Sequence, residues 1–271
     1  MPNLKDVISP VARYTLLGFT LTIIAGIIVH LLSYVFRIQA GANAVNSLDL
    51  LKGSTWLLIA TYAILEEWTF RGFLSAGKIG ITVSITGLLY AAGSHVIDHY
   101  SNLTLHQSLL SKISISIGVA VVLLAVIYFI VSVNFESIKK FILKYYKWMF
   151  WVSCAAFACA HILNYKDHDS AWPAYLLLVF PQFIMGAILA YVRVKFGIFQ
   201  SIAVHIFLDF LLLTMMMIRV IHHQPIVLLI SITAISGFFI GLFFMFAEAA
   251  KIGYPDSGVD TTCLTAWPSL E

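Results

Sequence analysis

Charge is what this sequence has least of. Asp, Glu, Lys and Arg make up only 11% of its 271 residues, against about 25% in an ordinary soluble domain. With 61% hydrophobic residues, a water-soluble fold would have too little polar surface to cover the remainder. A bilayer asks for no such cover. Long basic runs are missing too, and the net charge of +3 is small, so no nucleic-acid partner is expected. The three cysteines show no metal-type spacing. Cys154 and Cys159 sit in an apolar segment and read as buried free thiols, while Cys263 lies in the tail. The apolar runs are continuous rather than alternating, which argues against a membrane barrel. There is no internal repeat and no sign of a second soluble domain.

What remains is a series of apolar runs of membrane-spanning length, about 20 residues each. Eight are recognisable: 13–36, 55–74, 79–97, 113–134, 148–164, 173–194, 198–218 and 226–248. The first is too long for the apolar core of a cleavable signal peptide and long enough to span. The expected fold is all-α: a polytopic membrane protein with about eight transmembrane helices around a polar intramembrane cavity. Residues 1–252 form a single helical domain with its motif-bearing core at about 55–210. Residues 253–271, polar and containing Gly253, Pro255, Gly258 and Pro268, read as a disordered tail.

Orientation follows from the basic residues of the short loops. With the N-terminus inside, Lys5, Arg13, Lys78, Lys139, Lys140, Lys144, Lys147, Arg193, Lys195 and Lys251 are cytoplasmic. Arg37, Lys52, Lys112, Lys166 and Arg219 are external. The bias places both termini in the cytoplasm, in agreement with an even number of spans. The stretch 134–147, with four lysines and one glutamate, is then the main cytoplasmic loop.

Ionisable groups inside such spans need a reason, because each costs about 2.5 kcal/mol or more at the bilayer centre. The second span contains Glu66, Glu67 and Arg71. Glu67 and Arg71 are four apart, so they share a helix face and can pair. Glu66 lies about 100° round the helix and faces something else. One arginine needs one carboxylate, so the second is the informative residue. His161 lies late in the fifth span, and His205 and Asp209, again four apart, lie in the seventh. Taken singly, each has a structural reading. Glu67–Arg71 is a helix-locking ion pair, a lone histidine is an interhelical hydrogen bond, and Asp209 holds one tautomer of His205. Together, in so apolar a chain, they point to a site. A further group, His95, Asp98, His99 and His106, suggests either an outer metal site or solvated loop residues.

The pattern Glu66-Glu67-x-x-x-Arg71-Gly72, then Phe157-x-x-x-His161, then His205-x-x-x-Asp209 resembles the motifs of the CAAX-processing and bacteriocin-processing (CPBP or Abi) membrane endopeptidases. The approach to the third motif is similar as well: Pro181-Gln182-Phe183-x-x-Gly186, then Phe196-Gly197-Ile198-Phe199-Gln200-Ser201-Ile202. The resemblance covers about residues 55–210. Two features depart from it. More than 90 residues separate Glu67 from His161, where many members need about half as many, the excess being an extra span and the basic loop. The third motif ends in Asp209 rather than Asn, although both occur in the family pattern. His95, with Ala91 four residues before it, lacks the aromatic of the second motif.

The resemblance implies a type II CAAX prenyl endopeptidase-like enzyme with Glu66, Glu67, Arg71, His161, His205 and Asp209 as catalytic residues, no cofactor and no metal. No Ser or Cys sits beside a base, so water is the expected nucleophile. Glu66 is the expected general base, on a water positioned by His161. His205 is expected to stabilise the oxyanion, Asp209 to orient His205, and Arg71 to fix Glu67. A zinc protease is the chemical rival, since two His and a Glu can hold zinc, although no His-Glu-x-x-His helix is present. A non-catalytic scaffold or regulator of a partner enzyme is the alternative of another class. A transporter would usually show paired broken helices and repeats. The implied partners are the lipid bilayer and a hydrophobic or lipidated peptide or protein substrate. A composition rich in Phe, Ile and Lys and poor in Pro suggests a bacterial cytoplasmic membrane.

Overall fold

The computed structural model describes residues 4–38, 48–75, 77–104, 109–165, 172–217 and 224–252. Every long element among them is an α-helix: α1 (Leu4–Val35), α2 (Gly53–Arg71), α3 (Lys78–Thr104), α4 (Leu109–Val133), α5 (Phe135–Lys144), α6 (Tyr146–Ala160), α7 (Trp172–Leu178), α8 (Phe180–Phe196), α9 (Ile198–Met217) and α10 (Gln224–Ile252). Two 3-10 turns, Gly72–Ser75 and His161–Asn164, follow α2 and α6. Within the described residues, each of the eight apolar runs is largely helical. The sixth is divided, because α7 stops before Val179 and α8 restarts with Pro181 in its first turn. Proline fits there, where no backbone N–H is needed. The stretch 134–147 is not irregular but carries the short helix α5. The tail 253–271 and Cys263 lie outside the described residues, as do the side chains of His95, Asp98, His99 and His106.

Among the described residues, three segments are long and apolar enough to cross a bilayer by length and composition: Ser9–Val35, Ile115–Val133 and Ile198–Met216. Lys78–Gly93 and Leu229–Phe244 are shorter apolar stretches. The physical reason α2 stands apart is its content of Glu66, Glu67 and Arg71. The exterior is that of a membrane protein. Leu57, Leu65, Phe129, Phe199, Phe239 and Phe243 are all more than half exposed, where hydrocarbon rather than water is the compatible solvent. Cys154 is buried as expected, but Cys159 is exposed. It lies about 140° round α6 from Cys154, on the outward face beside exposed Ala155 and Val152.

The core is built round α9. Val204 and Leu208 of α9 meet Phe19 of α1, Leu189 of α8 and Phe157 of α6, all essentially solvent-free. α2 packs between α3 and α9. Its C-terminal end is close to α3: a Cβ on Gly72 would stand 2.7 Å from both the Gly80 oxygen and Ser84 Oγ, so only glycine permits this approach. A second glycine, Gly197 with φ 102°, ends α8 in a conformation side chains rarely adopt and lets α9 start one residue later. α4 stands at the edge, packing mainly on α3, with Ile127 and Val131 against Ile81.

Candidate active site

The carbonyls at the end of a helix have no intrahelical partner, and in an apolar medium each one left bare is expensive. The last turn of α2 and the turn after it are served by side chains from three neighbouring helices. Ser84 Oγ donates to the Trp68 carbonyl at 2.8 Å, Ser153 Oγ to Phe70 at 2.7 Å, and Tyr146 OH to Leu74 at 2.7 Å. Arg193 Nε donates to the Arg71 carbonyl at 3.4 Å. These bonds fix the end of the helix that bears Glu66, Glu67 and Arg71.

Glu67 and Arg71 form the expected pair, with Nη1 to Oε1 at 2.5 Å and both side chains fully buried. The pair is not isolated. His205 Nδ1 lies 2.9 Å from the same Oε1, and Ser201 Oγ donates to Oε2. A carboxylate paired with arginine only accepts, so Nδ1 carries the proton of His205. Ser201 Oγ is also 3.0 Å from the Leu189 carbonyl. Its single proton serves one acceptor at a time, and the ionised carboxylate is the stronger. Arg71 completes its surroundings with Nη2 3.5 Å from the Gly186 carbonyl and its guanidinium carbon 4.4 Å from the centroid of Phe157, a cation–π distance.

With Nδ1 committed to Glu67, the outward nitrogen of His205 is Nε2. It lies 3.6 Å from Glu66 Oε2 and 3.6 Å from Asp209 Oδ2. Both separations are longer than a hydrogen bond. The side chains of Glu66 and Asp209 are 30% and 23% exposed, whereas His205 is closed at 1%. The network therefore has a sealed half, Glu67–Arg71–Ser201, and an accessible half, Glu66–Nε2–Asp209.

His161 ends α6, and its Nδ1 donates to the Phe157 carbonyl at 2.8 Å. A carbonyl cannot donate, so this bond leaves Nε2 as the acceptor nitrogen of the neutral ring. Phe157 links the histidines, with its centroid 4.6 Å from His161 and 5.6 Å from His205. It also meets Phe70 of α2 edge-on at 5.7 Å. All six residues singled out from the sequence are thus gathered: five through Glu67 and His205, and His161 through Phe157.

Ser201 is the residue to which the sequence pattern assigns no role. A signal existed, since Ser201, His205 and Asp209 stand at intervals of four on one face of α9. The bond from His205 to Glu67 had no sequence signal, because the partners are 138 positions apart. Among the described residues, no group of three or more His, Cys, Asp or Glu is arranged to hold a metal ion.

An all-helical fold with a lipid-compatible exterior and a charge network inside defines the class, an integral membrane protein. A family model described as type II CAAX prenyl endopeptidase Rce1-like matches residues 50–211. The match covers more than half of the chain, and the chain belongs to this family. It takes in α2 through most of α9 and so contains every residue of the network. No curated protein and no solved structure matches the chain.

Proposed function

We propose that this protein is an intramembrane endopeptidase in which Glu66 activates water against a peptide bond of a hydrophobic or lipidated substrate. The observation that carries this reading is the position of His205 Nε2. It stands 3.6 Å from each of the accessible carboxylates Glu66 and Asp209, while Nδ1 is fixed by the buried Glu67. At 3.6 Å these groups touch without bonding to one another, so both carboxylates and Nε2 can turn to one oxygen, of water or of a carbonyl, lying beside them.

In this mechanism Glu66 takes the proton of a water that also donates to Nε2 of His161, the nitrogen left free by the bond to Phe157. The hydroxide oxygen attacks the scissile carbonyl carbon, and the carbon–oxygen double bond becomes an oxyanion. Nε2 of His205 faces that oxygen. It donates only when the ring carries both protons, and the surrounding carboxylates supply the counter-charge. A preorganised donor of this kind is worth about 2.7–4 kcal/mol in comparable sites. Collapse breaks the carbon–nitrogen bond, and the proton held by Glu66 goes to the leaving amine. Arg71, Glu67 and Ser201 hold the frame.

Around this site we read residues 1–252 as one membrane domain, with its motif-bearing core at 55–210 and eight spans about a polar cavity. Both termini face the cytoplasm of a bacterial cell. The partial exposure of Glu66 on the polar face of α2 supports access of water and substrate.

The test is turnover of a quenched lipopeptide library by the reconstituted protein, comparing wild type with Glu66→Ala and His205→Ala, each with and without a strong chelator. Activity lost in both variants and indifferent to chelator supports the glutamate mechanism. Loss on chelation with recovery in zinc transfers the assignment to a metalloprotease. A wild type that cleaves nothing across a broad library, while both variants stay folded, gives the network to a scaffold or regulator.

A further inference from the structure

α4 and α5 together say where this molecule meets the membrane surface. The apolar stretch Ile115–Val133 has 19 residues, and only Ile127 and Val131 among them are buried. At 1.5 Å per residue it measures about 28 Å, close to the roughly 30 Å of a bilayer's hydrocarbon core. Most of its side chains therefore face outward, over about one thickness of hydrocarbon. The helix breaks at Asn134, and α5 begins at the next residue.

The composition of α5 changes at that point. One face, with Ile138 and the buried Ile142, docks on Ile81, Ile127 and Val131. The other presents Lys140 and Lys144, four apart and both exposed, with Phe141 beside them. Lys147 and Trp148 continue the exposed surface into α6, and Trp148 is 72% exposed. Lys139 is half-buried at the edge of the docked face. Against these four lysines, the stretch 134–148 carries a single carboxylate, Glu136. Exposed aromatics beside lysines at the end of a lipid-facing helix are the arrangement suited to a headgroup layer. An acidic protein would be matched by the charge but would not require Phe141 and Trp148 to stand free.

We propose that α5 and the start of α6 form an interfacial binding surface for anionic phospholipid headgroups, with Lys139, Lys140, Lys144 and Lys147 as the cationic groups and Phe141 and Trp148 inserted among the acyl chains. The assignment is independent of the chemistry at Glu66. A lysine at such a surface favours an anionic lipid by about fivefold, and several act together.

The experiment is lipid binding to the purified full-length protein in neutral detergent, followed by native mass spectrometry. The probes are phosphatidylglycerol and phosphatidylcholine of identical acyl chains, at low and high salt. Wild type should retain phosphatidylglycerol about tenfold more tightly or better, and high salt should erode the preference. Replacing all four lysines by glutamine should bring the two lipids close to parity, and replacing them by arginine should preserve the preference. Equal retention of both lipids by wild type overturns the proposal, as does a preference that survives either the glutamine changes or high salt. A soluble polyglutamate peptide that displaces phosphatidylglycerol in a lysine-dependent way also overturns it, and assigns the surface to an acidic protein partner.

Discussion

Oε1 of Glu67 on α2 lies 2.9 Å from Nδ1 of His205 on α9, joining two helices whose residues are 138 positions apart in the chain. The same carboxylate takes Arg71 and Ser201, so three donors converge on one fully buried acceptor. Removing either partner of a buried ion pair leaves a bare charge at a cost of about 3–5 kcal/mol. Glu67→Gln and Arg71→Met are each expected to destabilise the protein by that order. The double variant should recover part of the loss, because no charge is left unpaired. Unfolding in mixed detergent, monitored by tryptophan fluorescence, measures all three. Single changes that cost less than about 1 kcal/mol would deny Glu67 its central place.

Glu66 should behave in the opposite way, although it is the adjacent residue. It has no partner within hydrogen-bond distance in the network and is partly open to the exterior. Glu66→Gln removes a charge without orphaning another, so the unfolding midpoint should stay close to wild type. Turnover should fall by about 10²–10⁴, the usual contribution of a positioned general base. A Glu66→Gln enzyme that still cleaves at near the wild-type rate would eliminate it as the base.

The contrast between these neighbours shows what was legible in the sequence. Charges in an apolar chain are conspicuous because each must be justified energetically, so Glu66, Glu67, Arg71, His161, His205 and Asp209 stood out. Spacing by four placed Glu67 with Arg71 and His205 with Asp209, since helix geometry is local. What was hidden is tertiary. No periodicity reveals that Nδ1 of His205 is committed to Glu67, or that Phe157 stands between the two histidines. The break between α7 and α8 was less visible, because hydropathy runs through Val179 without interruption and only Pro181 marks the restart. The helical nature of 134–147 was masked by its lysines, which suit a loop and an interfacial helix alike.

Ser201 offers a test of the sealed half of the site. Its hydroxyl is buried and donates to an ionised carboxylate, a bond worth about 1.5–3 kcal/mol. Ser201→Ala should cost stability in that range and lower turnover less than Glu66→Gln does, since Glu67 keeps Arg71 and His205. In a double-mutant cycle with Glu67→Gln the two effects should be strongly non-additive. Full additivity would mean that the hydroxyl serves the Leu189 carbonyl instead.

Asp209 separates a charge requirement from a geometric one. Its Oδ2 lies 3.6 Å from the same nitrogen that faces Glu66. In the proposed mechanism Asp209 shares with Glu66 and Glu67 the counter-charge of a doubly protonated His205, and those two remain when Asp209 is replaced. Asparagine can fill that place and adds a donor that a carboxylate lacks. Asp209→Asn is therefore expected to keep turnover within about tenfold of wild type, while Asp209→Ala, which empties the position, should lose about 10²–10³. Steady-state kinetics on one lipopeptide decides the matter. If Asp209→Asn is as inactive as Asp209→Ala, the negative charge itself is needed, and Glu66 and Glu67 alone do not balance the protonated His205.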